Sequence, residues 1–403
     1  MAKKSLQVSL ERNVDVFTAH AILKGIYIHI HQVIYQPFLL SLNPSMTLLG
    51  LLEGFGGYQG LLGAFVRPFF GWLSDRVRRK PFIILGSLLT MLSISFFLVS
   101  GITTIYGFII PAIILLGVSS LDMPIVDSLI AESVEPAKRG SAYSRVMLAW
   151  MVPGIFASFI GGFVADLFGF PVVFGVGIAI ECMVIYILLR YLKETFRLHR
   201  VISFSKLALF LKRNLTPPRS LRNIYLLNMF DAIAYGLGPV LKFGIFRAHF
   251  NFSIVQLGII SLFGSVVMTG TQLFIGRMIG RYGCKTVLLI SYIMWVVHLG
   301  GIAISKNFAS VLFFEIFLGI AIASFITPHQ TLMAHSTTSM ERAEAMGRIS
   351  LYRGVAGFVA PFLGGFLYEQ YGYSAPLWAS FIGGMVITFF IRFQIRVQND
   401  KLI

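Results

Sequence analysis

The sequence contains the stretch GGFVADLFGF at residues 161–170 and a second version of it, GGFLYEQYGY, at residues 364–373. Both share Gly-Gly-Phe, an acid three residues after that Phe, and a closing aromatic-Gly-aromatic triplet. At the same spacing of 203 residues, AKRGSAYSRV (137–146) is matched by MERAEAMGRI (340–349). At a spacing of 205 residues, GWLSDRVRRK (71–80) is matched by GRMIGRYGCK (276–285). Three matches at nearly one spacing predict that the chain is a duplication of one structural unit.

The repeated stretches lie between long apolar segments. The chain of 403 residues is 56% hydrophobic and only 12% charged, and its mean hydropathy is +0.80. A soluble protein carries about 25% charged residues, so much of this chain must face lipid. A helix that crosses the hydrocarbon core needs about 20 apolar residues. The sequence predicts twelve such spans at 14–40, 47–73, 81–100, 104–132, 141–168, 171–192, 222–246, 254–279, 285–304, 308–334, 343–369 and 373–393.

The basic residues divide the connections between the spans into two classes. The formal net charge is +16, but Lys and Arg do not cluster on one predicted face as they do in nucleic-acid-binding proteins. They concentrate in the even-numbered connections, which predicts that these connections and both termini are cytoplasmic. We therefore expect a lipid bilayer around the chain and no nucleic-acid partner. The residues concerned are Arg76, Arg78, Arg79, Lys80, Lys138, Arg139, Arg277, Arg281, Lys285, Arg342 and Arg348.

One long connection, 193–221, separates the two halves of the duplication. Its basic residues greatly outnumber its acids, which predicts a basic cytoplasmic linker between an N-terminal six-helix bundle (1–192) and a C-terminal one (222–403). The polar N-terminus lacks a short apolar core with a small-residue cleavage site, so we expect a retained cytoplasmic tail. Cys182 and Cys284 form neither a disulfide framework nor a metal motif, and no cofactor or metal is predicted.

The stretch GWLSDRVRRK resembles the loop between helices 2 and 3 of the major facilitator superfamily. The matching residues are Gly71, Asp75, Arg76, Arg79 and Lys80. Arg78 stands where the family has a second glycine. With the spans, the linker and the repeat, the resemblance covers nearly the whole chain. It implies an all-α membrane protein with twelve transmembrane helices in two pseudo-symmetric six-helix bundles, around a cavity that opens alternately to each side.

Charged residues at the cytoplasmic helix ends are candidates for a gate. Asp75 lies among cations and can pair with Arg76 or Arg79, or with the positive N-terminus of a helix in the other bundle. Such a contact would hold one access state shut. The alternative is that these charges only enforce the topology. The candidate gating residues are Asp75, Arg76, Arg79, Arg139 and Arg281.

Polar residues within the spans mark a candidate substrate site. A charged residue there costs roughly 2.5–3.5 kcal/mol and therefore usually faces a cavity or a partner. At about 100° per residue, the polar residues of helix 1 form one stripe and those of helix 7 another. The resemblance implies that helices 1, 4, 7 and 10 line the cavity, and the alternative is a buried structural network. The candidates are His20, Lys24, Tyr27, His31, Asn228, Asp231, Tyr235, His329, Gln330 and Arg353.

Acids at membrane depth are the candidates for proton coupling. Asp122 in helix 4 is the first candidate, because a buried carboxyl group can hold a proton near neutral pH, and Asp231 is the second. The alternative for Asp122 is a salt bridge with Lys24. No role is predicted for Glu181 or His298, since the resemblance implies that helices 6 and 9 are peripheral.

Glycines and a proline within helix 7 predict a local distortion. Gly236, Gly238 and Pro239 lie between Asp231 and Lys242 and predict a kink there.

Three functions remain open from the sequence. The first is a secondary active transporter of a small organic solute, proton-coupled, with efflux as one possible direction. The second is an importer or facilitator of a nutrient without proton coupling. The third is a transport-inactive sensor or scaffold, although such a protein has no need of costly polar stripes in the membrane. No ATP-binding motif or paired nucleophile and base is present, so we predict no enzyme. We expect a monomer in the plasma membrane.

Overall fold

The computed structural model describes residues 2–57, 60–135, 138–195, 221–336 and 342–395, and within these ranges it contains helices and no β-strand. The all-helical prediction is therefore confirmed for this part of the chain. Of the predicted linker, residues 196–220 lie outside the described ranges. The helices are α1 (Ala2–Leu42), α2 (Met46–Gly56), α3 (Leu61–Ser74), α4 (Lys80–Thr103), α5 (Ile109–Ser119), α6 (Met123–Ser133), α7 (Arg139–Phe168), α8 (Phe170–Tyr191), α9 (Arg222–Leu237), α10 (Lys242–Ala248), α11 (Ile254–Ile304), α12 (Phe308–Ser336), α13 (Arg342–Gly357), α14 (Ala360–Tyr371) and α15 (Ser374–Gln394).

Large apolar side chains cover the outer faces of these helices. Leu273 of α11 is 76% exposed and Phe389 of α15 is 67% exposed, and many other large apolar residues are exposed as well. Extensive exposed apolar surface is unusual for a soluble monomer. In the described ranges, eight helical segments are long and apolar enough to cross a membrane, and the bent pair Arg222–Leu237 and Pro239–Ala248 makes a ninth if it is one span. The chain is therefore a multi-pass membrane protein.

Three local features account for the difference between these eight or nine segments and the twelve spans predicted. The polar stripe of α1 lowers its hydropathy, and α1 is not among the eight. The predicted span 47–73 is divided between α2 and α3. The long helix α11 counts once, although Gly283 inside it has a φ of 79° and a ψ of 159°. Because glycine adopts a positive φ without a steric penalty, α11 consists of two helices that meet at Gly283.

The chain divides into two compact units. Unit 1 comprises Met1–Asn43 and Phe55–Phe204, and unit 2 comprises Pro44–Gly54 and Ser205–Ile403. In the core of unit 1, the rings of Phe38 (α1), Phe97 (α4) and Phe174 (α8) pack against one another with centroids 4.8–6.2 Å apart. In unit 2, α11 packs along α12, and the Ser291 hydroxyl of α11 donates to the carbonyl oxygen of Ala321 at 2.7 Å.

Residues 44–54 lie in the predicted N-terminal bundle but pack within unit 2. Glycines allow this contact with α14. A Cβ atom added at Gly50 would lie 2.0 Å from the carbonyl oxygen of Pro361, and one added at Gly365 would lie 2.1 Å from that of Met46. No side chain fits at such distances, so the two backbones touch directly. We name this contact the glycine seam. The predicted bundle boundaries at 192 and 222 stay a prediction.

A carboxylate closes one end of the glycine seam. Glu369 of α14 accepts hydrogen bonds from the Ser45 hydroxyl at 2.9 Å, from the backbone N–H of Thr47 at 3.0 Å and from the Thr47 hydroxyl. It therefore caps the N-terminus of α2, where unpaired N–H groups and the helix dipole favour a negative charge.

The predicted kink in helix 7 is confirmed as a break between α9 and α10. The two segments meet at an angle of 40°. Gly238 has a non-helical φ of −132° and ψ of −58°, and Pro239–Leu241 forms a short 3-10 turn. Pro239 lacks an N–H group, so it cannot continue the helical hydrogen bonds.

Candidate functional site

A buried ion pair joins α1 to α8 in unit 1. The Nζ atom of Lys24 lies 2.8 Å from Oε1 of Glu181, and the two side chains are 10% and 0% exposed. Lys24 also donates a hydrogen bond to Thr90 Oγ1 of α4 at 3.4 Å. The sequence suggested Asp122 as the partner of Lys24 and no role for Glu181. The structure instead pairs Lys24 with Glu181, because α8 turns this acid inward.

Asp122 lies beside this ion pair. It ends the 3-10 turn that precedes α6, and its side chain contacts α4 at Gly86, where an added Cβ would lie 2.7 Å from Cβ of Asp122. The charges of Lys24, Glu181 and Arg67 all act on its carboxyl group. We name Lys24, Asp122 and Glu181 the unit 1 charged centre. A lysine beside two acids can change its ion-pair partner when one of the acids takes up a proton.

The remaining polar residues of α1 face the same interior. Tyr27 is 3% exposed and packs on Gly177 of α8, where an added Cβ would lie 2.4 Å from its ring. The ring centroid of His31 lies 5.7 Å from that of Phe97 in α4. His20 is 8% exposed. The stripe of helix 1 thus lies against α4 and α8, and its role in lining a substrate cavity stays a prediction.

Five polar side chains from four helices meet in unit 2. Asp231 of α9 forms an ion pair with Arg353 of α13 and accepts a hydrogen bond from the Tyr292 hydroxyl of α11 at 2.8 Å. Arg353 also donates to Oδ1 of Asn228 at 3.4 Å. The Nδ2 atom of Asn228 lies 3.1 Å from Nε2 of His329 in α12. We name these five residues the unit 2 polar network.

The sequence predicted four members of this network as site residues, and the structure brings them together. Tyr292 was missed, because a tyrosine in an apolar span carries no signal that separates a buried hydroxyl from one at the lipid surface. Two further candidates lie at the margin. Tyr235 is 38% exposed and close enough for the charge of Asp231 to act on it, and Gln330 is exposed.

Among the candidate gating residues, Arg79 forms ion pairs with two acids. Its Nη2 atom lies 3.0 Å from Oδ1 of Asp75 and 2.8 Å from Oε1 of Glu132 in α6. Asp75 therefore contacts Arg79, one of the two cations proposed for it. Arg76 instead donates to the carbonyl oxygen of Trp72 at 2.7 Å, and its guanidinium lies 4.0 Å from the centroid of that ring.

The other two candidate gating residues make local contacts. Arg139 donates to the carbonyl oxygen of Ala131 at 3.0 Å, and the Arg281 guanidinium lies 5.3 Å from the ring centroid of Tyr282. The gating role of all five residues stays a prediction.

The first residues after α8 are bound to two further helices of unit 1, α4 and α1. Glu194 accepts a hydrogen bond from the backbone N–H of Lys80 at 3.0 Å and so caps the start of α4. The Nζ atom of Lys80 donates to the carbonyl oxygen of Leu192 at 2.7 Å, beyond the C-terminus of α8. Asn13 of α1 donates to the carbonyl oxygen of Lys193 at 3.0 Å and accepts from its N–H at 2.9 Å. We name this arrangement the reciprocal cap.

Sequence reasoning also missed Glu132 and Glu194. Glu132 lies in the last turn of α6, and Glu194 follows the end of α8. Both contact the basic stretch 76–80 in space but are far from it in sequence. A search for acids at the ends of predicted spans would have found both as possible partners, but it could not have chosen between them.

The chain matches the family model described as Major Facilitator Superfamily over residues 29–230 and again over 223–401. Among curated proteins it is 27% identical over 380 residues to multidrug resistance protein 2 of Bacillus subtilis (strain 168), covering 89% of this chain and 92% of that protein. It is 26% identical over 323 residues to multidrug resistance protein MdtG of Proteus mirabilis (strain HI4320), covering 78% of each chain.

Solved structures share the fold at low sequence identity. The human organic anion transporter MFSD10 (TETRAN) superposes with a TM-score of 0.69 at 16% identity, covering 95% of this chain and 99% of that one. A D-xylose–proton symporter superposes with a TM-score of 0.70 at 14% identity and covers 100% of both chains. The nucleoside transporter NupG superposes with a TM-score of 0.68 at 14% identity, covering 97% and 100%.

Proposed function

This chain belongs to the major facilitator superfamily and is a transporter rather than an enzyme, and we propose from that premise that it moves a small organic solute by alternating access, driven by protons. We further propose twelve crossings in two six-helix bundles, with both termini cytoplasmic, in the plasma membrane. The two parts of α11 and the break between α9 and α10 support this number of crossings.

The unit 2 polar network is the observation that carries the proposal. Asp231 and Arg353 are opposite charges in segments that can cross a membrane, a placement that is costly and marks functional sites in membrane proteins. An Arg guanidinium can hold a carboxylate through two hydrogen bonds, and a carboxylate can hold an ammonium group. A solute with either charge can therefore bind by replacing one partner, while Tyr292, Asn228 and His329 supply neutral hydrogen-bonding groups.

The unit 1 charged centre supports coupling to protons. Lys24 forms an ion pair with Glu181, and Asp122 lies near both. We propose that Asp122 takes up and releases the coupling proton, with Asp231 as the second coupling acid. Protonation of Asp122 would change the balance of charge around Lys24 and shift the access equilibrium.

The relatives bear on direction. Two of them are named multidrug resistance proteins, which favours export of amphipathic compounds as the direction for this chain. A facilitator without protons is the second candidate within transport. We also propose that Asp75 and Arg79 belong to a cytoplasmic gate, since Arg79 is shared between Asp75 and Glu132.

A ligand screen followed by reconstitution tests the proposal. A thermal-shift screen of the purified protein identifies a drug or metabolite that raises its stability. In proteoliposomes, we expect a pH gradient to drive accumulation of that compound. Asp122→Asn should abolish the pH-driven movement and keep solute exchange, whereas Arg353→Ala should abolish both.

The control is Glu11→Gln, which removes a carboxylate from the surface pair with Lys138. It should transport as the unchanged protein does. A pH response that survives Asp122→Asn would contradict the role of Asp122. Exchange without any pH response in the unchanged protein would favour the facilitator.

A further inference from the structure

A cavity of about 370 Å³ lies in unit 1, where α4 begins and the chain leaves α8. Ligand pockets in proteins measure about 300–1,000 Å³, so this cavity is large enough for a small polar group. One side of the cavity is charged and the other is apolar. The residues that line it are Arg78, Lys80, Pro81, Ile84 and Glu194. Such a lining suits a ligand with a charged head and an apolar tail.

Arg78 supplies a positive charge that no acid balances. It is exposed, and among the described residues no side chain forms an ion pair with it. Its basic neighbours are engaged, because Arg79 pairs with two acids and Arg76 lies on the ring of Trp72. Arg78 also stands where the family has a glycine, so this charge is a feature of this chain rather than of the family. A guanidinium in this position can hold a phosphate group through two hydrogen bonds.

Lys80 lies at the other edge of the charged side. Its Nζ atom donates to the carbonyl oxygen of Leu189 at 2.9 Å and to that of Leu192 at 2.7 Å. An ammonium group has three N–H donors, so one remains for a ligand. Arg190 and Lys193 follow these two carbonyl groups directly in the chain, and both side chains are exposed. The end of α8 therefore adds two positive charges beside the start of α4.

The charge of Glu194 in the cavity wall is already compensated. Its Oε2 atom accepts hydrogen bonds from the backbone N–H groups of Arg79 and Lys80, both at 3.0 Å. Its Oε1 atom accepts one from the N–H of Thr195 at 3.2 Å. The start of a helix favours a negative charge, so this carboxylate serves α4. The four cations Arg78, Lys80, Arg190 and Lys193 outnumber it, and the region attracts an anion.

Helices α4 and α8 run antiparallel beyond the cavity. Lys80 meets the end of α8, and farther along the Sγ atom of Cys182 lies 3.7 Å from the Sδ atom of Met91. Cys182 is exposed, so this contact lies at the outer edge of the helix pair. Leu88 and Leu92 are exposed on the same side of α4 as Met91, since residues three or four apart share a helix face. The outer edge of α4 is therefore apolar.

The adjoining edge of α8 is apolar as well. Tyr186 and Leu189 are exposed and lie four and seven residues after Cys182, on one helix face. On α4, Ile84 of the cavity lies four residues before Leu88 and continues the apolar strip. The two strips border a shallow groove at the lipid surface. The charged cavity opens onto this groove at one end.

We propose that the cavity binds an anionic phospholipid, with its phosphate on Arg78 and Lys80 and an acyl chain in the groove between α4 and α8. The lipid belongs to the leaflet that contains residues 71–80. In the orientation proposed above this is the cytoplasmic leaflet, which carries anionic headgroups. The bound lipid joins the start of α4 to the end of α8 and so stabilises unit 1. Neither the solute nor a proton takes part, so the tests below do not depend on transport.

Thermal melting of delipidated protein in detergent tests lipid binding. A ligand that binds the native state raises its stability, so phosphatidylglycerol should raise the melting temperature more than phosphatidylcholine with the same acyl chains. Inorganic phosphate should have no effect. Arg78→Gln should lose most of the increase. Arg277→Gln, which removes an exposed arginine from the matching stretch 276–285, is the control and should keep it.

Three results of this experiment would overturn the proposal. Equal effects of the two lipids would show that the headgroup charge is not recognised. An equal increase with inorganic phosphate would show a site for a free anion instead of a lipid. Equal losses in Arg78→Gln and Arg277→Gln would show a general response to surface charge.

Fluorescence quenching tests the position of the acyl chain. A bimane label on Ala179→Cys, in a background of Cys182→Ser and Cys284→Ser, lies on the exposed side of α8 one turn from position 182. In phosphatidylcholine nanodiscs, a minor fraction of phosphatidylglycerol with brominated chains should quench the label more than the same fraction of brominated phosphatidylcholine. Arg78→Gln should remove this difference and Arg277→Gln should keep it. No difference in the labelled protein, or one that survives Arg78→Gln, would contradict the groove as the lipid site.

Discussion

Lys24 and Glu181 place two opposite charges where water cannot solvate either of them. Glu181 is fully buried and Lys24 nearly so, and 2.8 Å separates their charged atoms. Replacing such a pair as a whole can cost little, but removing one partner leaves a buried charge without compensation. The two residues should therefore be coupled strongly in stability even if neither contacts the solute.

A double-mutant cycle measures this coupling. Lys24→Met and Glu181→Gln should each lower the free energy of unfolding by about 3–5 kcal/mol, whereas the double variant should lose less than the sum. Reversible unfolding in mixed micelles provides the measurement. Asp15→Asn, which breaks the exposed pair with Arg145, is the control and should change little. Additive losses for Lys24 and Glu181 would contradict the coupling.

For single residues, the sequence predicted the members of the candidate site more successfully than their ion-pair partners. Asp231 and Arg353 stand out because ionisable residues are rare in apolar spans, and both were predicted. Helical periodicity gives the face of a helix on which a residue lies, but it does not say which helix covers that face. For this reason Lys24 was paired with Asp122 rather than with Glu181.

Among the elements, α2 and α14 come closer together than any side chain allows. At the glycine seam, the carbonyl oxygens of Pro361 and Met46 occupy the space that a Cβ atom at Gly50 or Gly365 would need. Small residues permit such approach between helices in membranes. Backbone atoms cannot move aside as a flexible side chain can, so the seam should tolerate almost no added volume.

Leucine substitutions test the glycine seam. Gly50→Leu and Gly365→Leu should each destabilise the protein by about 1–3 kcal/mol or more, because they overpack a close contact. Gly270→Leu in α11 is the matched control, since an added Cβ there meets nothing within 4 Å. It should be neutral or slightly stabilising, because leucine favours the helix over glycine. Thermal melting in detergent reports the difference, and equal effects at all three positions would contradict the seam.

The helices themselves were predictable, whereas some of their interruptions were not. Apolar runs of sufficient length predicted α4, α7, α8 and α15. Gly236, Gly238 and Pro239 predicted the break of helix 7, because proline removes a donor. The division of the predicted span 47–73 into α2 and α3 was not predicted, and Gly50 in α2 is a position of close packing.

For the whole molecule, the distribution of charge predicts which connections face the cytoplasm. The connection before α7 and the one before α12 should lie on opposite sides. Ser141 and Asn307 are both exposed and mark these two places. Single-cysteine variants in a background of Cys182→Ser and Cys284→Ser make the test possible.

In intact cells, a membrane-impermeant maleimide should label Asn307→Cys and should leave Ser141→Cys unlabelled until the cells are opened. Permeabilised cells are the control for reactivity, because both positions should then react. Labelling of both variants in intact cells, or the reverse pattern, would contradict the predicted orientation.

The duplication and the spans gave the family from sequence, but they did not give the allocation of every segment. Residues 44–54 were assigned to the N-terminal bundle, because neighbouring spans are expected to pack together. They pack in unit 2, since glycines there accept the backbone of α14. A single sequence records where close approach is possible and not which partner uses it.

The reciprocal cap bears on which of the two units has the more rigid helix packing. Together with the Lys24–Glu181 ion pair, it joins α1, α4 and α8 at two depths. These three helices should therefore move as one rigid body. Unit 2 instead contains a helix that is broken at Gly238. Four residues later, Lys242 is paired with Glu315. Deformation during a working cycle should therefore concentrate within unit 2, while the helices of unit 1 keep their mutual arrangement.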